Sequence, residues 1–208
     1  MENQVSSSVK TAGYHHGDLR NSLIQSAIDI IHEKGIQKLS IRDAAKRIGV
    51  SHAAPYRHFR NKKALLTAIA IAGFDKLGTS IDEARKAGST KNEIEGQMRD
   101  FARAYIRFAM NNVEFYKIMF GDYIENKTED ADFFQAYDAP FQLMIQYVKM
   151  LHGKRADFPG IEITVLAGWS MLHGYAQFLI DNQRDHIVGS SRQIELIVDR
   201  FISVCQFQ

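Results

Sequence analysis

In residues 40–59, SIRDAAKRIGVSHAAPYRHF, a glycine turn separates two short helical segments, and the second is rich in basic and aromatic side chains. Ser40 can cap the amides of the first segment while Asp43, three positions on, reaches back to complete a capping box. Ile41, Ala44, Ala45 and Ile48 fall at i, i+3, i+4 and i+7, one buried stripe, and the small Ala44 and Ala45 permit close helix approach. Gly49 follows the last apolar residue, where a left-handed backbone is cheap for glycine. Ser51 can cap the second segment. There His52, Ala53, Arg57 and His58 offer donors and small apolar groups suited to base edges or phosphates, and Phe59 offers an inward anchor. Pro55 lacks an amide hydrogen and disfavours the helical region for Ala54, which predicts a tight or distorted first turn. The pair has the arrangement of a helix-turn-helix that sets its second helix in a DNA major groove. A helical hairpin in a larger bundle would suit the cap and the glycine stop equally well.

Charge favours the first of these. Residues 1–74 carry 11 Lys and Arg against 5 Asp and Glu, a balance of +6, whereas the remainder carries 15 against 19, a balance of −4. A basic N-terminal third suits a polyanion, since each neutralised phosphate releases counterions. Before the motif, Leu19, Leu23, Ala27 and Ile30 share one face, widened by Ile24, Ile28 and Ile31. The pattern predicts a helix over residues 18–34, with Asp18 complementing its dipole and Gly35 ending it. Tyr14, His15, His16, Gly17 and Asp18 raise a metal reading, but adjacent histidines do not share a face and no second cluster is evident, so no metal site is expected.

The segment GVSHAAPYRHFRNKKALL, residues 49–66, resembles the signature of the tetracycline-repressor (TetR) family of bacterial transcription regulators, and the match covers roughly residues 18–70. The resemblance implies that Tyr56, His58 and Lys62 hold phosphates, while Arg42 at the start of the first motif helix and His52, Ala53 and Arg57 on the second face bases. Ser40 and Ser51, at the two helix starts, complete the expected DNA-binding set. Pro55 departs from the commoner family pattern. Lys62 follows Asn61, a good cap, so its ammonium and the free amides of a helix start can face one phosphate together.

Beyond the motif every periodic pattern is helical, and no strand alternation of convincing length occurs. Leu65, Ile69, Gly73, Leu77 and Ile81 predict a long helix running to about Lys86. Thr90 and Glu93 form a further capping box before Ile94, Met98, Phe101, Tyr105 and Phe108. Phe115, Tyr116, Met119 and Phe120 come next, then a polar loop over residues 122–132. A helix with Phe141, Met144, Ile145, Val148 and Leu151 has Pro140 near its start or at a kink. The expected fold is all-α. A three-helix DNA-binding domain with its N-terminal arm (residues 1–62) precedes a helical ligand-binding and dimerisation domain (residues 63–208).

The stretch GWSMLHGYAQFL resembles a C-terminal domain type of the same family named for Trp169, His173 and Gly174. Trp169 and His173 are four apart and share a helix face. Tyr105, Phe108, Tyr116, Met119, Phe120, Trp169 and His173 are the candidate effector contacts, although aromatic and methionine stripes at this spacing also simply pack as core. The two final helices, residues 161–182 and 192–206, carry broad apolar surfaces: Val165, Leu166, Trp169, Leu172, Ala176 and Leu179, then Ile194, Ile197, Val198, Phe201, Ile202 and Cys205. Paired with a second copy they would form a four-helix interface, and a two-fold dimer predicts a palindromic operator.

The opening residues lack the apolar core of a secretory signal, and the longest apolar-rich stretch, residues 64–74, falls short of the roughly 20 residues that span a bilayer. A cytoplasmic chain without membrane partners is expected, and the single Cys205 excludes an intrachain disulfide. No nucleophile, base and orienting acid stand in a recognisable arrangement and no phosphate-cradling glycine loop occurs, so neither catalytic residues nor a cofactor are expected. With these features, the family resemblance implies a double-stranded-DNA-binding regulator that is homodimeric, a repressor by analogy, and released by an unknown small molecule. A small enzyme or carrier and a sequence-indifferent nucleoid binder are the competing readings.

Overall fold

The computed structural model describes residues 16–84, 90–153, 160–181 and 190–206, and among them it has eight α-helices and no strand. Tyr14 and His15, the side chains of residues 16–18, and the expected helix ends at Lys86 and Asn182 lie outside the described residues. The chain divides into two compact units, Met1–Leu65 and Leu66–Gln208.

In the first unit, α1 (His16–Lys34) buries Leu23, Ala27, Ile30 and Ile31 against α2 (Ile41–Arg47). Ala44 and Ala45 are wholly buried, and the helices come close enough for the Ser26 hydroxyl to donate to the Ala44 carbonyl at 3.1 Å. That bond satisfies a buried polar group which would otherwise oppose folding. Gly35, at φ +80°, ends α1 and leads into a 3₁₀ turn, Ile36–Lys38. Ser40 caps α2, its Oγ accepting from the Asp43 amide at 3.1 Å. The Asp43 carboxylate accepts the Ser40 hydroxyl at 2.5 Å. Gly49 sits at φ +72°, and the Gly49 and Val50 amides donate to the Lys46 and Ala45 carbonyls, the paired closure of a Schellman motif.

The second motif segment departs from the expected α-helix: it is a 3₁₀ turn, Ala54–Arg57. Pro55 has no amide with which to reach the Ser51 carbonyl, and the Ala54 amide takes that carbonyl instead at 3.1 Å. The tighter spacing continues with Tyr56 donating to Ala53 and His58 to Pro55, before Phe59 restores an i−4 bond to Pro55. Ser51 is therefore not the side-chain cap expected of it; Ala53 occupies the cap position, without a side-chain bond. The next helix, α3 (Lys62–Ala84), opens where Asn61 Oδ1 accepts from the Ala64 amide at 2.9 Å.

The second unit is built on α4 (Lys91–Asn111), entered through the complete Thr90/Glu93 capping box and buried along Ile94, Met98, Phe101, Tyr105 and Phe108. Around it lie α5 (Val113–Phe120), α6 (Ala131–His152), α7 (Ile161–Asp181) and α8 (Ser191–Gln206). α8 runs antiparallel to α4 along a polar seam. Gln206 meets Glu95 at 2.7 Å, Asp199 meets Arg99, and Glu195 takes both arms of Arg103 at 2.8 and 2.7 Å. The loop over residues 121–130 is mostly exposed, but Ile124 is buried, and Lys127 donates to the Gly121 carbonyl at 2.8 Å beyond the end of α5. Pro140 lies well inside α6 rather than near its start.

Helices Lys62–Ala84 and Ile161–Asp181 are long and apolar enough, by length and composition, to cross a membrane. The expectation drawn from residues 64–74 is corrected here, because a helical window tolerates scattered polar residues. In the most apolar window of α3 56% is buried, in that of α7 only 33%.

Candidate functional site

The 3₁₀ turn sorts its residues cleanly. Pro55 and Phe59 point inward, Phe59 lying under the Arg20 guanidinium 5.7 Å from its ring centroid. Ser51, His52, Ala53, Tyr56 and Arg57 are exposed, as is Arg42 on the first turn of α2, while Ser40 and His58 are half-buried. One short segment thus offers a hydroxyl, an imidazole, a methyl group, a phenol and a guanidinium to solvent, the mixture that reads base edges and phosphates. Lys62 is partly engaged elsewhere. Its ammonium donates to the Ile36 carbonyl at 2.8 Å and ties the start of α3 to the 3₁₀ turn after α1, leaving two protons for an anion.

Arginine 47 is a solvated ion-pair member and not a free cation, since Glu33 accepts both of its arms at 2.7 and 2.6 Å. That hydrogen-bonded pairing holds the Glu33 carboxyl below its usual range. Lys34, Lys38 and Lys46 converge with Ile30, Asp43 and Arg47 on a cleft of about 340 Å³. The sequence reading passed over these lysines, and over the exposed Arg60 and Lys63; the signals were a base in the last turn of α1 and of α2 and the run RNKK at residues 60–63.

In the second unit, Tyr105, Tyr116, Phe120, Trp169 and His173 gather into one aromatic cluster. Tyr116 stacks on His173 with centroids 5.6 Å apart, Phe120 stands edge-on to it at 4.6 Å, and Tyr105 meets Trp169 at 5.3 Å. His173 Nδ1 lies 2.7 Å from the Tyr116 hydroxyl and 3.1 Å from that of Tyr105; the two hydroxyls are 3.0 Å apart. With its proton on Nε2, the imidazole accepts at Nδ1 from the nearer Tyr116 hydroxyl, which can in turn accept from Tyr105, and burial suppresses the ionisation of both phenols. Burial also lowers the His173 pKa and keeps the ring neutral. Tyr105, Phe108, Tyr116 and Met119 are fully enclosed, while Phe120 and His173 are half-buried. Among the described residues no group of His, Cys, Asp and Glu could hold a metal ion.

Residues 23–69 match the family model of bacterial regulatory proteins of the tetR family, and residues 98–201 match that of the tetracyclin repressor-like C-terminal domain. The chain belongs to the TetR family. The second match includes Trp169, His173 and Gly174. Among TetR-family relatives, the class A tetracycline repressor protein from transposon 1721 of Escherichia coli is 35% identical over 88 residues, 42% of this chain and 40% of that one. The chain spans only about 40% of the length of the tetracycline repressors it matches. The nucleoid occlusion factor SlmA of Haemophilus ducreyi is 28% identical over 152 residues, 71% of this chain and 72% of that protein. A Rhodococcus protein described as of unknown function has a TM-score of 0.76 at 28% identity, covering 91% of this chain and 96% of its own. As a TetR-family member the chain is a DNA-binding transcription regulator with a helix-turn-helix followed by a helical C-terminal domain.

Proposed function

We propose that this regulator is a cytoplasmic, non-enzymatic repressor that binds a palindromic operator as a homodimer and is released by a small-molecule effector. The observation that carries the reading is the exposed edge of the 3₁₀ turn, where Ser51, His52, Ala53, Tyr56 and Arg57 face solvent above the buried Pro55 and Phe59. Arg42, His52, Ala53 and Arg57 address bases; Tyr56, His58 and Lys62 hold phosphates, with Ser40 and Ser51 beside them. The domain boundary is taken at residue 62.

Dimerisation rests on the outer face of α7 and α8, where Ile163, Leu166, Phe178 and Leu196 are 68%, 50%, 48% and 56% exposed. The effector acts on the C-terminal domain near the half-buried Phe120 and His173, with Tyr105, Phe108, Tyr116, Met119 and Trp169 positioning them, and it releases DNA by favouring one conformation of α3.

Selection of bound fragments from random duplexes tests the core of this reading. A two-fold symmetric site is expected; Arg57→Ala relaxes base preference at one position per half-site, worth about 1–3 kcal/mol, and Lys62→Ala weakens all sequences alike. The 71% coverage by the nucleoid occlusion factor favours a second reading, a nucleoid-associated binder. Selection that returns no consensus, with binding abolished by competitor DNA, would establish that reading instead.

A further inference from the structure

Within the second unit, α3 and α6 enclose a groove of about 430 Å³, a volume in the range of small-molecule sites. The buried Phe74, Ile81 and Pro140 form its floor, and the half-buried Leu143 with Gly78 and Ala136 lines its open side. Among its described lining residues the ionisable side chains are Asp75 and Asp82, both acidic, both exposed and seven residues apart on α3. At 1.5 Å per residue they stand about 10 Å apart on one face. Neither forms an ion pair with a described residue. Between them Thr79 donates its hydroxyl proton to the Asp75 carbonyl at 3.0 Å, which leaves its oxygen as an acceptor. Across the groove Pro140 has no amide, so the carbonyl of Ala136, four residues earlier and also in the lining, lacks its helical donor. Among the described residues the polar groups of the groove are thus acceptors, set around carbon surface, with no lysine, arginine or histidine in the lining.

We propose that this groove binds an organic monocation, an ammonium group attached to a compact apolar body. The charge sits between Asp75 and Asp82 and the carbon skeleton lies along Leu143, Gly78 and Ala136 over the buried Phe74 and Ile81. An anion would meet two carboxylates and no base among the described lining residues, and a neutral apolar molecule would leave both carboxylates without a counter-charge. The proposal deepens the effector reading by giving the ligand's chemical class and a place distinct from the aromatic cluster, yet it stands on binding alone.

Isothermal titration of the full chain with benzyltrimethylammonium is expected to show saturable binding, one per chain, weakening as salt rises, whereas phenylacetate does not bind. Asp75→Asn with Asp82→Asn should weaken binding about tenfold or more. Asp132→Asn, an exposed carboxylate of α6 outside the lining, should leave it unchanged. Gly78→Leu is the second variant. A Cβ at Gly78 meets nothing within 4 Å, so the leucine fills the groove in a helix-favouring way and abolishes binding in a folded chain. Failure of the cation to bind, or binding indifferent to both the Asn pair and Gly78→Leu, overturns the proposal. Binding that obeys these variants but leaves DNA affinity unchanged upholds the site and refutes only its role as the effector site.

Discussion

A Cβ placed on Gly168 would lie 2.6 Å from Met144 Cε, 3.1 Å from Phe201 Cε2 and 3.2 Å from Cys205 Sγ, so α6, α7 and α8 meet there with no room for a methyl group. Gly168→Ala is expected to cost about 1–3 kcal/mol by overpacking, read as a fall in the urea midpoint at unchanged slope. The Met144 tip can swing, which favours the lower part of that range. Enclosure has a chemical consequence at the same point: burial raises the Cys205 thiol to about 12, so it is no nucleophile at neutral pH. His173 responds to burial in the opposite direction, its pKa lowered below 6.5. Well above pH 6.5 it is neutral whether the chain is folded or unfolded and contributes no pH dependence. As pH falls through 6.5 the unfolded chain takes up a proton that the folded chain refuses, and stability drops. Urea titrations at pH 7.5 and 5.5 should show lower stability at the acid value, with a smaller difference in His173→Gln.

Helix ends were the most legible elements, because each depends on a few adjacent residues. Ser40, Gly49, Asn61, and Thr90 with Glu93 all act where their chemistry places them, whereas the expected Ser40/Asp43 box is half made: the Asp43 carboxylate takes the Ser40 hydroxyl in place of the Ser40 amide. The element at residues 51–59 shows where local reading stops. Pro55 announced a distorted first turn, but the loss of one donor passes along the segment, since each displaced amide takes the carbonyl three residues back and the 3₁₀ spacing persists to His58. Ser40 and Ser51, equivalent as sequence, therefore separate in structure. Ser40→Ala should destabilise the chain by about 1 kcal/mol through loss of a cap, whereas Ser51→Ala should leave thermal stability within about 0.5 kcal/mol. Calorimetry of the two variants checks this, and equal losses would show that Ser51 caps after all. Pro140, expected near a helix start or at a kink, lies inside α6, where packing overrides its usual preference for a boundary.

The apolar character of α7 and α8 was visible as a whole-molecule feature, but its direction was not: α7 is apolar round most of its circumference, and the single apolar face of α8 suits its own core as well as a partner. Val165, Leu172, Ala176, Val198, Phe201, Ile202 and Cys205, read as interface, lie in the core of their own chain, and Trp169 sits in the aromatic cluster. What remains outside is a stripe at residues 163, 166, 170, 174 and 178 on α7, with Leu196 on α8. Ser170 and Gly174 are small, so a partner helix can approach that stripe closely while Ile163, Leu166 and Phe178 flank the contact. If two copies pair through it, a charge at its centre must be desolvated in the dimer and remains hydrated in the monomer. Leu166→Asp with Phe178→Asp should therefore dissociate the dimer without unfolding the chain, giving a protomer mass by sedimentation and an unchanged circular dichroism spectrum. Operator affinity should fall with it, because a lone protomer holds one half-site and forgoes the effective concentration that the second supplies. A double variant that still sediments as a dimer would remove this stripe from the interface, and with it the reason for expecting a palindrome.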